Sequence, residues 1–534
     1  MYKQPEREHD YTEEDIRNES KRRDFSRKQK KGGVGKIITF LVIAILIAGG
    51  VLVKLWLDTD PFVKPGEVSI DDSVSETNRN IINENIEKWK NSGNKIRHDI
   101  KYSEKTVYSM AEAGENDVLV KIELPTVDFY DSELNISSSE AESESSSKKI
   151  TWVDFINITP EARVVSIDDN YFFDNIEKGG KYTYISYETD NSEKSAAIWI
   201  ATADQNYDQK YPESSKDFLS FAQTGVTALT RAMTLTLNGK AGGRGSYFAD
   251  KIKDFLSSKD LTHISNEVSF TDGCKGSTGT MSLCADWRSL DSITAIGTDI
   301  VELTGNHNNN YGTSNNIKTI EKYEELGMKT VGGGKTEEEA AKPLELDEKG
   351  NKITLLAYNH STSTKGNGEL ADGNRPGANG FTEEKAKKDI KEAKERGDFI
   401  IVDIQYSECY SYPDGYTEMP SCDKPISGQK NFFRQFIDWG ADVVIGTQAH
   451  HPQTFELYEG KPIYYGLGNL FFDQTYWPGT QRGYILTHYF YNGKLLNTRI
   501  SPTWYDASHQ VYLTDESTSE KFIKRLMEAS PKGK

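Results

Sequence analysis

The sequence predicts an α/β fold that follows one transmembrane helix and a smaller α+β domain. Three observations support this prediction. From about residue 216, β-rich segments alternate with amphipathic helical segments. Residues 37–57 form a single long apolar run, IITFLVIAILIAGGVLVKLWL. Hydrophobic residues make up 36% of the 534-residue chain, which is enough for a sizeable core and excludes a wholly disordered protein.

The apolar run is predicted to cross a membrane once. Its 21 residues would reach roughly 30 Å as a helix, which is the thickness of one hydrocarbon core. Residues 21–36, directly before it, contain eight basic residues and one acidic residue. The positive-inside rule then places a basic tail, residues 1–36, in the cytoplasm and residues 58–534 outside the cell. A cleaved signal peptide is disfavoured because residues 54–58, KLWLD, are too bulky for a cleavage site.

The charge balance limits the partners that the chain can have. Its 64 Lys and Arg residues against 82 Asp and Glu residues give a net charge of −18. Beyond the basic tail, 53 basic and 74 acidic residues leave a balance of −21. A nucleic-acid-binding protein needs a basic face to meet phosphates, so we expect no nucleic-acid partner.

Composition divides the first part of the predicted extracellular region. Residues 58–74 are predicted to form a stalk, and residues 75–212 a smaller α+β domain of unknown role. Within that domain, residues 117–124 alternate as a strand does, whereas residues 135–149 are a Ser/Glu-rich segment that cannot bury a core. We therefore predict a disordered insert at 135–149.

The second part, residues 216–515, is predicted to form repeated strand–helix units, followed by a polar tail at 516–534 that begins as a helix. Such units imply a largely parallel sheet with helices on both faces. The predicted strands are 262–268, 299–306, 352–359, 398–408, 442–450 and 462–472, and the predicted helices are 247–258, 314–326, 383–396 and 431–439. The third of these helices has the clearest ends, because Thr382 suits an N-cap and Gly397 a C-cap.

All four cysteines follow the predicted membrane span, at Cys274, Cys284, Cys409 and Cys422. Four cysteines allow three pairings, and the simplest joins the neighbours Cys274–Cys284 and Cys409–Cys422. An oxidising exterior permits such disulfides. The alternative, a zinc site built from all four thiolates, lacks the usual C-x₂-C spacing.

Polar residues cluster where the predicted strands end. In parallel sheets, chemistry gathers beyond the carboxyl ends of the strands, so these residues are expected to converge. Asparagine oxygen and histidine nitrogen can bind a metal or orient a phosphate or carbonyl group. The five clusters are Asn266–Glu267, Gly305–Asn306–His307, Gln405 with Glu408, Gln448 with His450–His451, and Asn469 with Asp473.

Two of these segments carry a family resemblance. Residues 302–312, ELTGNHNNNYG, and residues 440–474, GADVVIGTQAHHPQTFELYEGKPIYYGLGNLFFDQ, resemble sequence blocks of CapA-type capsule, or poly-γ-glutamate, synthesis proteins. Residues 224–232, 264–268 and 401–410 stand where that family has three weaker motifs. The resemblance covers about residues 216–515.

The resemblance implies a fold and a biological setting. The fold would be a metallophosphatase-like α/β sandwich. The function would lie in the biosynthesis of a capsule, poly-γ-glutamate or another polymer of the bacterial cell envelope. The implied partners are the cell membrane, a membrane polymer synthase and an anionic envelope polymer.

The sequence also departs from the family's motifs at four places. The opening Asp of the family falls on Val226, one His falls on Gln405, two further His fall on Thr447 and Gln448, and an Asp falls on Asn310. A two-metal phosphoesterase needs a bridging carboxylate and several imidazoles. The remaining donors, Asn306, His307 and His450, are expected to hold at most one divalent ion such as Mn²⁺, Mg²⁺ or Ca²⁺.

Two functions therefore stay open at this point. In the first, the domain is an accessory, polymer-handling subunit with a degenerate pocket. In the second, it is a hydrolase in which His307 or His450 acts as general acid or base and Glu408 orients the reacting group. In both, the predicted ligand-binding residues are Arg231, Asn266, Glu267, Asn306, Gln405, Gln448, Glu456 and Asn469.

Overall fold

The computed structural model describes residues 67–70, 80, 84, 101–102, 118–137, 150–177, 185–189, 217–360, 368–409 and 421–531. The chain divides into one unit of residues 1–67 and 86–101 and a second unit of residues 68–85 and 102–534. The predicted cytoplasmic tail, the transmembrane helix at 37–57 and most of the Ser/Glu insert lie outside the described residues. Among the helices that are described, none is long and apolar enough to span a bilayer.

The strands are numbered in chain order. The first nine are β1 Glu67–Ile70, β2 Lys101–Tyr102, β3 Val118–Ile122, β4 Leu124–Asp128, β5 Asn135–Ile136, β6 Thr151–Val153, β7 Ala162–Val164, β8 Ser166–Ile167 and β9 Ile185–Thr189. The next ten are β10 Phe218–Thr227, β11 Leu261–Asn266, β12 Phe270–Thr271, β13 Ala285–Asp286, β14 Ile300–Glu302, β15 Lys329–Val331, β16 Gly333–Gly334, β17 Leu344–Glu348, β18 Asn351–Asn359 and β19 Gly377–Ala378. The last eight are β20 Phe399–Gln405, β21 Val443–Thr447, β22 Phe455–Tyr458, β23 Lys461–Tyr464, β24 Asn469–Phe471, β25 Arg482–Tyr491, β26 Lys494–Tyr505 and β27 Val511–Leu513.

Most of the described α-helices are short. They are α1 Phe172–Glu177, α2 Ala232–Asn238, α3 Lys253–Leu256, α4 Leu290–Ala295, α5 Thr313–Glu325, α6 Glu337–Ala340, α7 Glu383–Arg396, α8 Gln429–Trp439 and α9 Glu516–Glu528. Helix α7 has the predicted ends: the Thr382 side chain accepts a hydrogen bond from the Lys385 N–H, and Gly397 adopts a left-handed conformation.

Two mixed sheets form the large domain. The first has the order β15-β14-β11-β10-β25-β26-β27, with β24 also pairing with β10. Strands β10, β11, β14 and β15 run parallel, whereas β25–β27 are antiparallel. The second sheet has the order β17-β18-β20-β21-β23-β22, with β18, β20, β21 and β23 parallel. The parallel strands of each sheet therefore end at one edge.

The sheets stack face to face. One apolar cluster joins side chains from both, including Phe221 and Leu486 of the first sheet and Leu355 and Ile401 of the second. A second cluster packs α2–α5 on the other face of the first sheet, and a third packs α7 and α8 on the second sheet. The layers are thus helix, sheet, sheet and helix. The α/β class is confirmed. The repeated strand–helix units had implied a largely parallel sheet with helices on both faces, whereas the chain forms two mixed sheets, each of which buries one face against the other.

The segment 462–472 shows why the two sheets were hard to separate by sequence. It splits into β23, which belongs to the second sheet, and β24, which belongs to the first. Gly468, at a φ of +74°, makes the turn between them. The chain also passes so close to β10 that a Cβ on Gly225 would lie 2.0 Å from the Gly468 carbonyl oxygen. Both glycines are therefore required by the crossing.

The described part of the predicted α+β domain shares a core with the large domain. Phe155, Phe172 and Phe173 pack against Phe218 of β10 and Tyr489 of β25. Residues 102–212 accordingly fall in the same compact unit as the two sheets. The boundary at 212–216 stays a prediction, and the role of this region is not defined by these contacts.

The tail after residue 515 contains the predicted helix, but that helix is amphipathic. In α9, the Asp515 side chain accepts a hydrogen bond from the Thr518 N–H and so caps the first turn. Phe522, Ile523 and Leu526 are buried in the cluster between the sheets. The prediction of a polar tail missed this face because polar residues separate its apolar ones.

Both local disulfides are present. Cys274 pairs with Cys284 and Cys409 with Cys422, across sequence separations of 10 and 13 residues. Loops of this length stabilise a fold by about 3 kcal/mol in the chain-entropy description. The first disulfide closes the loop that leads to β13, and the second follows β20. Both loops border the strand ends at which polar residues were predicted to cluster.

Candidate functional site

Polar side chains from both sheets meet beyond the carboxyl ends of the parallel strands. Gln405, the last residue of β20, donates a hydrogen bond from Nε2 to Asn306 Oδ1 after β14, at 3.2 Å. The same amide group donates to Gln448 Oε1 after β21. Since β14 belongs to the first sheet and β20 and β21 to the second, these bonds join the two sheets. The structure thus brings together residues from distant parts of the sequence.

The amides form a closed network. Gln448 Nε2 donates to Asn306 Oδ1 at 3.5 Å and to Glu408 Oε1 at 3.3 Å. Asn359, at the end of β18, donates to Gln405 Oε1 at 3.3 Å. Gln448 has a φ of +78°, a conformation that is unusual for a residue other than glycine. The fold holds Gln448 in this strained conformation, which places its side chain between three hydrogen-bond partners.

The two predicted catalytic histidines are held by asparagines. His307 Nδ1 lies 2.7 Å from Asn310 Oδ1, and His450 Nδ1 lies 2.9 Å from Asn469 Oδ1. Asn310 Oδ1 also accepts from the Leu283 N–H, and Asn469 Nδ2 donates to the carbonyl oxygens of His450 and Thr480. These bonds identify both asparagine oxygens as acceptors, so each histidine donates from Nδ1 and keeps Nε2 as its acceptor nitrogen.

Burial keeps both imidazoles neutral near pH 7. It lowers the pKa of His450 to about 4, against weaker opposing effects from Asn469 and Glu408. Burial also lowers the pKa of His307, and the hydrogen bond to Asn310 only partly offsets it. Neutral imidazoles can accept a proton or a hydrogen bond but cannot attract an anion by charge.

Glu267 has a buried carboxyl group that no described residue stabilises by a hydrogen bond. It is 2% exposed, and neither carboxylate oxygen makes a hydrogen bond to any residue that the structure describes. Burial, together with the nearby carboxyl groups of Glu408 and Glu302, raises its pKa to about 8. The adjacent Asn266, by contrast, donates to the Val268 carbonyl oxygen at 2.7 Å, which stabilises the local turn.

Arg231 is neutralised within the site. Its Nε lies 3.1 Å from both carboxylate oxygens of Asp473, and its NH2 lies 2.5 Å from one of them. Asp473 also accepts the Ala232 N–H at the start of α2. The guanidinium lies 5.2 Å from the centre of the Phe472 ring. The positive charge that was predicted to hold an anionic substrate is therefore already paired.

A cavity of about 200 Å³ opens among these groups. Of the predicted residues it is lined by Arg231, Glu267, His307, Glu408 and His450. The remaining wall includes Phe472, which lies in the family block 440–474, and Met281, Tyr476 and Trp477, which no motif in the sequence indicated. Their signal in the sequence was indirect: Met281 lies in the loop closed by Cys274–Cys284, and the aromatic residues lie at or just after the end of β24.

The other predicted ligand-binding residues lie outside the lining of this cavity. Asn306, Gln405 and Gln448 form the amide network, and Asn469 orients His450. Glu456 is fully buried on β22, where it pairs with Arg434 of α8 and accepts a hydrogen bond from the Tyr465 hydroxyl. This arrangement favours a structural role for Glu456.

The donors do not fit the two-metal centre that the resemblance implies. Val226 is a core residue at 1% exposure, and Gln405 and Gln448 use their amide groups on each other and on Asn306. Within the described residues, no three His, Cys, Asp or Glu side chains are grouped as metal ligands. Asn306 was predicted as a metal ligand together with His307 and His450. Its side-chain oxygen instead accepts hydrogen bonds from the two glutamines. This donor set gives no basis for assigning a chemical step to a metal.

The fold and the cavity define a class of protein. It is an α/β domain whose ligand-binding groups lie beyond the carboxyl ends of stacked sheets, with amides where metal-binding imidazoles were expected. The family model of the bacterial capsule synthesis protein PGA_cap matches residues 219–474. The matched region, about half of the chain, is a domain of the CapA type found in capsule synthesis proteins.

Individual relatives agree with that assignment. The capsule biosynthesis protein CapA of Bacillus anthracis is 24% identical over 39% of this chain and 48% of its own length. The PGA biosynthesis protein CapA of Bacillus subtilis is 24% identical over 55% of this chain and 73% of its own. A probable polyglutamine synthesis accessory protein of Mycobacterium tuberculosis is 27% identical over 34% and 47%. The chain thus spans about half the length of two of these relatives.

Likeness to solved structures is weaker. The NAD nucleotidase of Haemophilus influenzae matches with a TM-score of 0.28 and 12% identity, over 59% of this chain and 63% of its own. That likeness is too low to bear on fold or function.

Proposed function

We propose that this chain is a membrane-anchored, extracellular accessory protein of capsule or poly-γ-glutamate synthesis, and that its cavity binds a ligand without a metal centre. The amide network carries the proposal. Gln405 and Gln448 occupy positions where metal chemistry would need other donors, and they form hydrogen bonds to each other and to Asn306 instead. The family match and the printed names of the relatives support the biological setting.

The proposal extends to the fold and the partners. Two stacked sheets with helices on their outer faces and a site at the strand ends support a metallophosphatase-like sandwich. The proposed partners are the cell membrane, a membrane polymer synthase and an anionic envelope polymer. The balance of −21 beyond the basic tail opposes long-range attraction of a polyanion, although salt screens this repulsion within about 10 Å. Contact with the polymer must therefore be local.

Loss of the cavity histidines is expected to abolish the polymer-handling role. In a deletion strain of the source organism, His307→Ala and His450→Ala chains should each restore less than about a tenth of the surface polymer that the wild-type chain restores. The reason is that both imidazoles line the cavity and are held in one orientation. The measurement is polymer per cell, normalised to chain abundance by immunoblot.

Lys388→Ala is the matched control, because Lys388 is an exposed residue of α7. Full polymer output from both histidine variants, at normal abundance, would remove the basis of the proposed function. Equal losses from the control variant would show that the assay does not report on the cavity.

A metal-free hydrolase is the second candidate function. Two neutral imidazoles share the cavity with Glu408, so one could act as general base. Purified wild-type and His450→Ala chains would be compared on phosphoesters and on the capsule polymer. Turnover that falls with His450→Ala supports hydrolysis, whereas binding without turnover supports the accessory role.

The extracellular location makes a prediction about the cysteines. On intact cells, a thiol-reactive reagent that cannot cross membranes should label none of the four cysteines until a reductant is added, because both pairs are disulfides. The measurement is the mass shift of the chain with and without reductant. Labelling only after the cells are lysed and reduced would argue for a cytoplasmic location, and immediate labelling would contradict the disulfides.

A further inference from the structure

The described lining of the cavity contains more carboxyl groups than guanidinium or ammonium groups. Among its described lining residues, Arg231 is the one arginine, and its charge is met by Asp473. The lining also contains the carboxyl groups of Glu267 and Glu408. An anionic ligand entering this cavity would therefore find its one described guanidinium already paired with Asp473.

Glu267 supplies an independent sign of a ligand. Only 2% of it is exposed, it lines the cavity, and both of its oxygens lack a hydrogen-bond partner among the described residues. Leaving a buried polar group unsatisfied costs about 1–3 kcal/mol, and such groups in native proteins call for an explanation. A donor with several N–H bonds that enters the cavity would remove this cost.

The walls suit the carbon skeleton that would carry such a donor. Tyr476 is 73% exposed and Met281 64% exposed, and both line the cavity together with Trp477. Aromatic faces attract ammonium groups, and apolar walls accept the methylene groups next to them. The same chemistry occurs within the site, where the Arg231 guanidinium lies over Phe472.

The volume indicates how much of a ligand enters. Sites that enclose a whole small molecule usually measure about 300–1,000 Å³. A cavity of about 200 Å³ has room for an end group and a short stem, not for a polymer segment. The end of a ligand polymer, carrying one charged group, is small enough for this volume.

We propose that the cavity binds a primary ammonium group on a short apolar stem, with the carboxyl groups of Glu267 and Glu408 as its acceptors and Trp477 and Tyr476 against its stem. This inference rests on the proposed function and specifies its ligand. The captured group would be an amine end of an envelope polymer or precursor, because an ammonium group supplies the N–H donors that both Glu267 oxygens lack among the described residues.

The test measures binding of three small probes of similar shape to the full-length chain in detergent at pH 8.5, where an alkylammonium group keeps its proton. The probes are n-butylammonium chloride, n-butanol and sodium butyrate, followed by ligand-observed NMR titration. We expect n-butylammonium to bind at least tenfold more tightly than either other probe. Equal binding of the alcohol would mean that charge is not recognised, and tighter binding of butyrate would mean that the site takes anions; both results overturn the inference.

Two variants locate the binding. Glu267→Gln removes the charge with little change of shape and is expected to weaken n-butylammonium binding at least tenfold. Trp477→Leu leaves both acids and is expected to weaken it about threefold to tenfold. Glu392→Gln, on the exposed face of α7, is the control and should bind as the wild type does. Wild-type affinity in Glu267→Gln would overturn the assignment, and Trp477→Leu keeps it testable if the first variant does not fold.

The failure of this inference can be told from the failure of the proposed function. If the cavity variants lose surface polymer but no amine binds, the accessory role stands and the amine inference is wrong. If amine binds and the variants keep full polymer output, the site exists but does not serve polymer synthesis.

Discussion

Replacing Arg434 by methionine is expected to lower the free energy of unfolding by about 3–5 kcal/mol, because it removes one partner of a buried ion pair. Arg434 Nε lies 2.9 Å from Glu456 Oε1, and Arg434 NH2 lies 2.5 Å from Glu456 Oε2. Glu456 is 0% exposed and cannot exchange its lost partner for water. Methionine preserves the packing of the side-chain stem, so the change isolates the charge.

The measurement is urea-induced unfolding of the full-length chain, followed by circular dichroism. Lys388→Met is the control, because the Lys388–Glu392 pair is exposed at 3.8 Å and should be worth less than about 0.5 kcal/mol. The double variant Arg434→Met, Glu456→Gln should regain part of the stability, since no buried carboxylate is then left unpaired. A loss below about 1 kcal/mol for Arg434→Met would mean that Glu456 finds another partner, and would reopen a ligand-binding role for it.

Glu267→Gln is expected to change how stability depends on pH. In the folded chain the Glu267 pKa is about 8, whereas the unfolded value is near 4.5. The folded state therefore keeps a proton that the unfolded state releases between these pH values. Wild-type stability falls as pH rises from about 4.5 to 8, and glutamine, which does not titrate, removes this loss.

The variant should match the wild type within about 1 kcal/mol at pH 5 and exceed it by about 5 kcal/mol at pH 9, because a tenfold difference in proton affinity between the two states corresponds to about 1.4 kcal/mol. The measurement is urea unfolding of both chains at pH 5, 7 and 9. Glu302, whose pKa is raised by burial to about 7, is present in both chains, so the difference between them reports Glu267. A difference that does not vary with pH would mean that Glu267 is ionised in the folded protein.

Several parts of the fold were predictable because local sequence encodes them. The ends of α7 follow from Thr382 and Gly397, whose capping preferences act within a few residues. The disulfides follow from short separations that favour local pairing. Strands such as β11 and β18 were predicted within one or two residues from their apolar runs. The stacking of two sheets was expected only from the family resemblance, because alternation within one strand does not say which sheet it joins.

The candidate site was predicted in part for a similar reason. The family motifs pointed to His307, His450, Glu267 and Arg231, which do line one cavity. They could not show that Asp473 neutralises Arg231 or that Arg434 neutralises Glu456. Those pairs join residues of different elements, and a motif records only the residue type at each position.

The sequence by itself determined the α/β class, the disulfide pairs, the family and the positions where metal-binding residues are replaced. Each of these depends on local spacing or on residue identity. Only the tertiary structure decided which polar groups satisfy one another and which, like Glu267, are buried with no hydrogen bond to a described residue. The reason is physical: a side chain's charge and hydrogen bonds depend on neighbours within a few ångströms, and in this fold two stacked sheets bring those neighbours from distant parts of the chain.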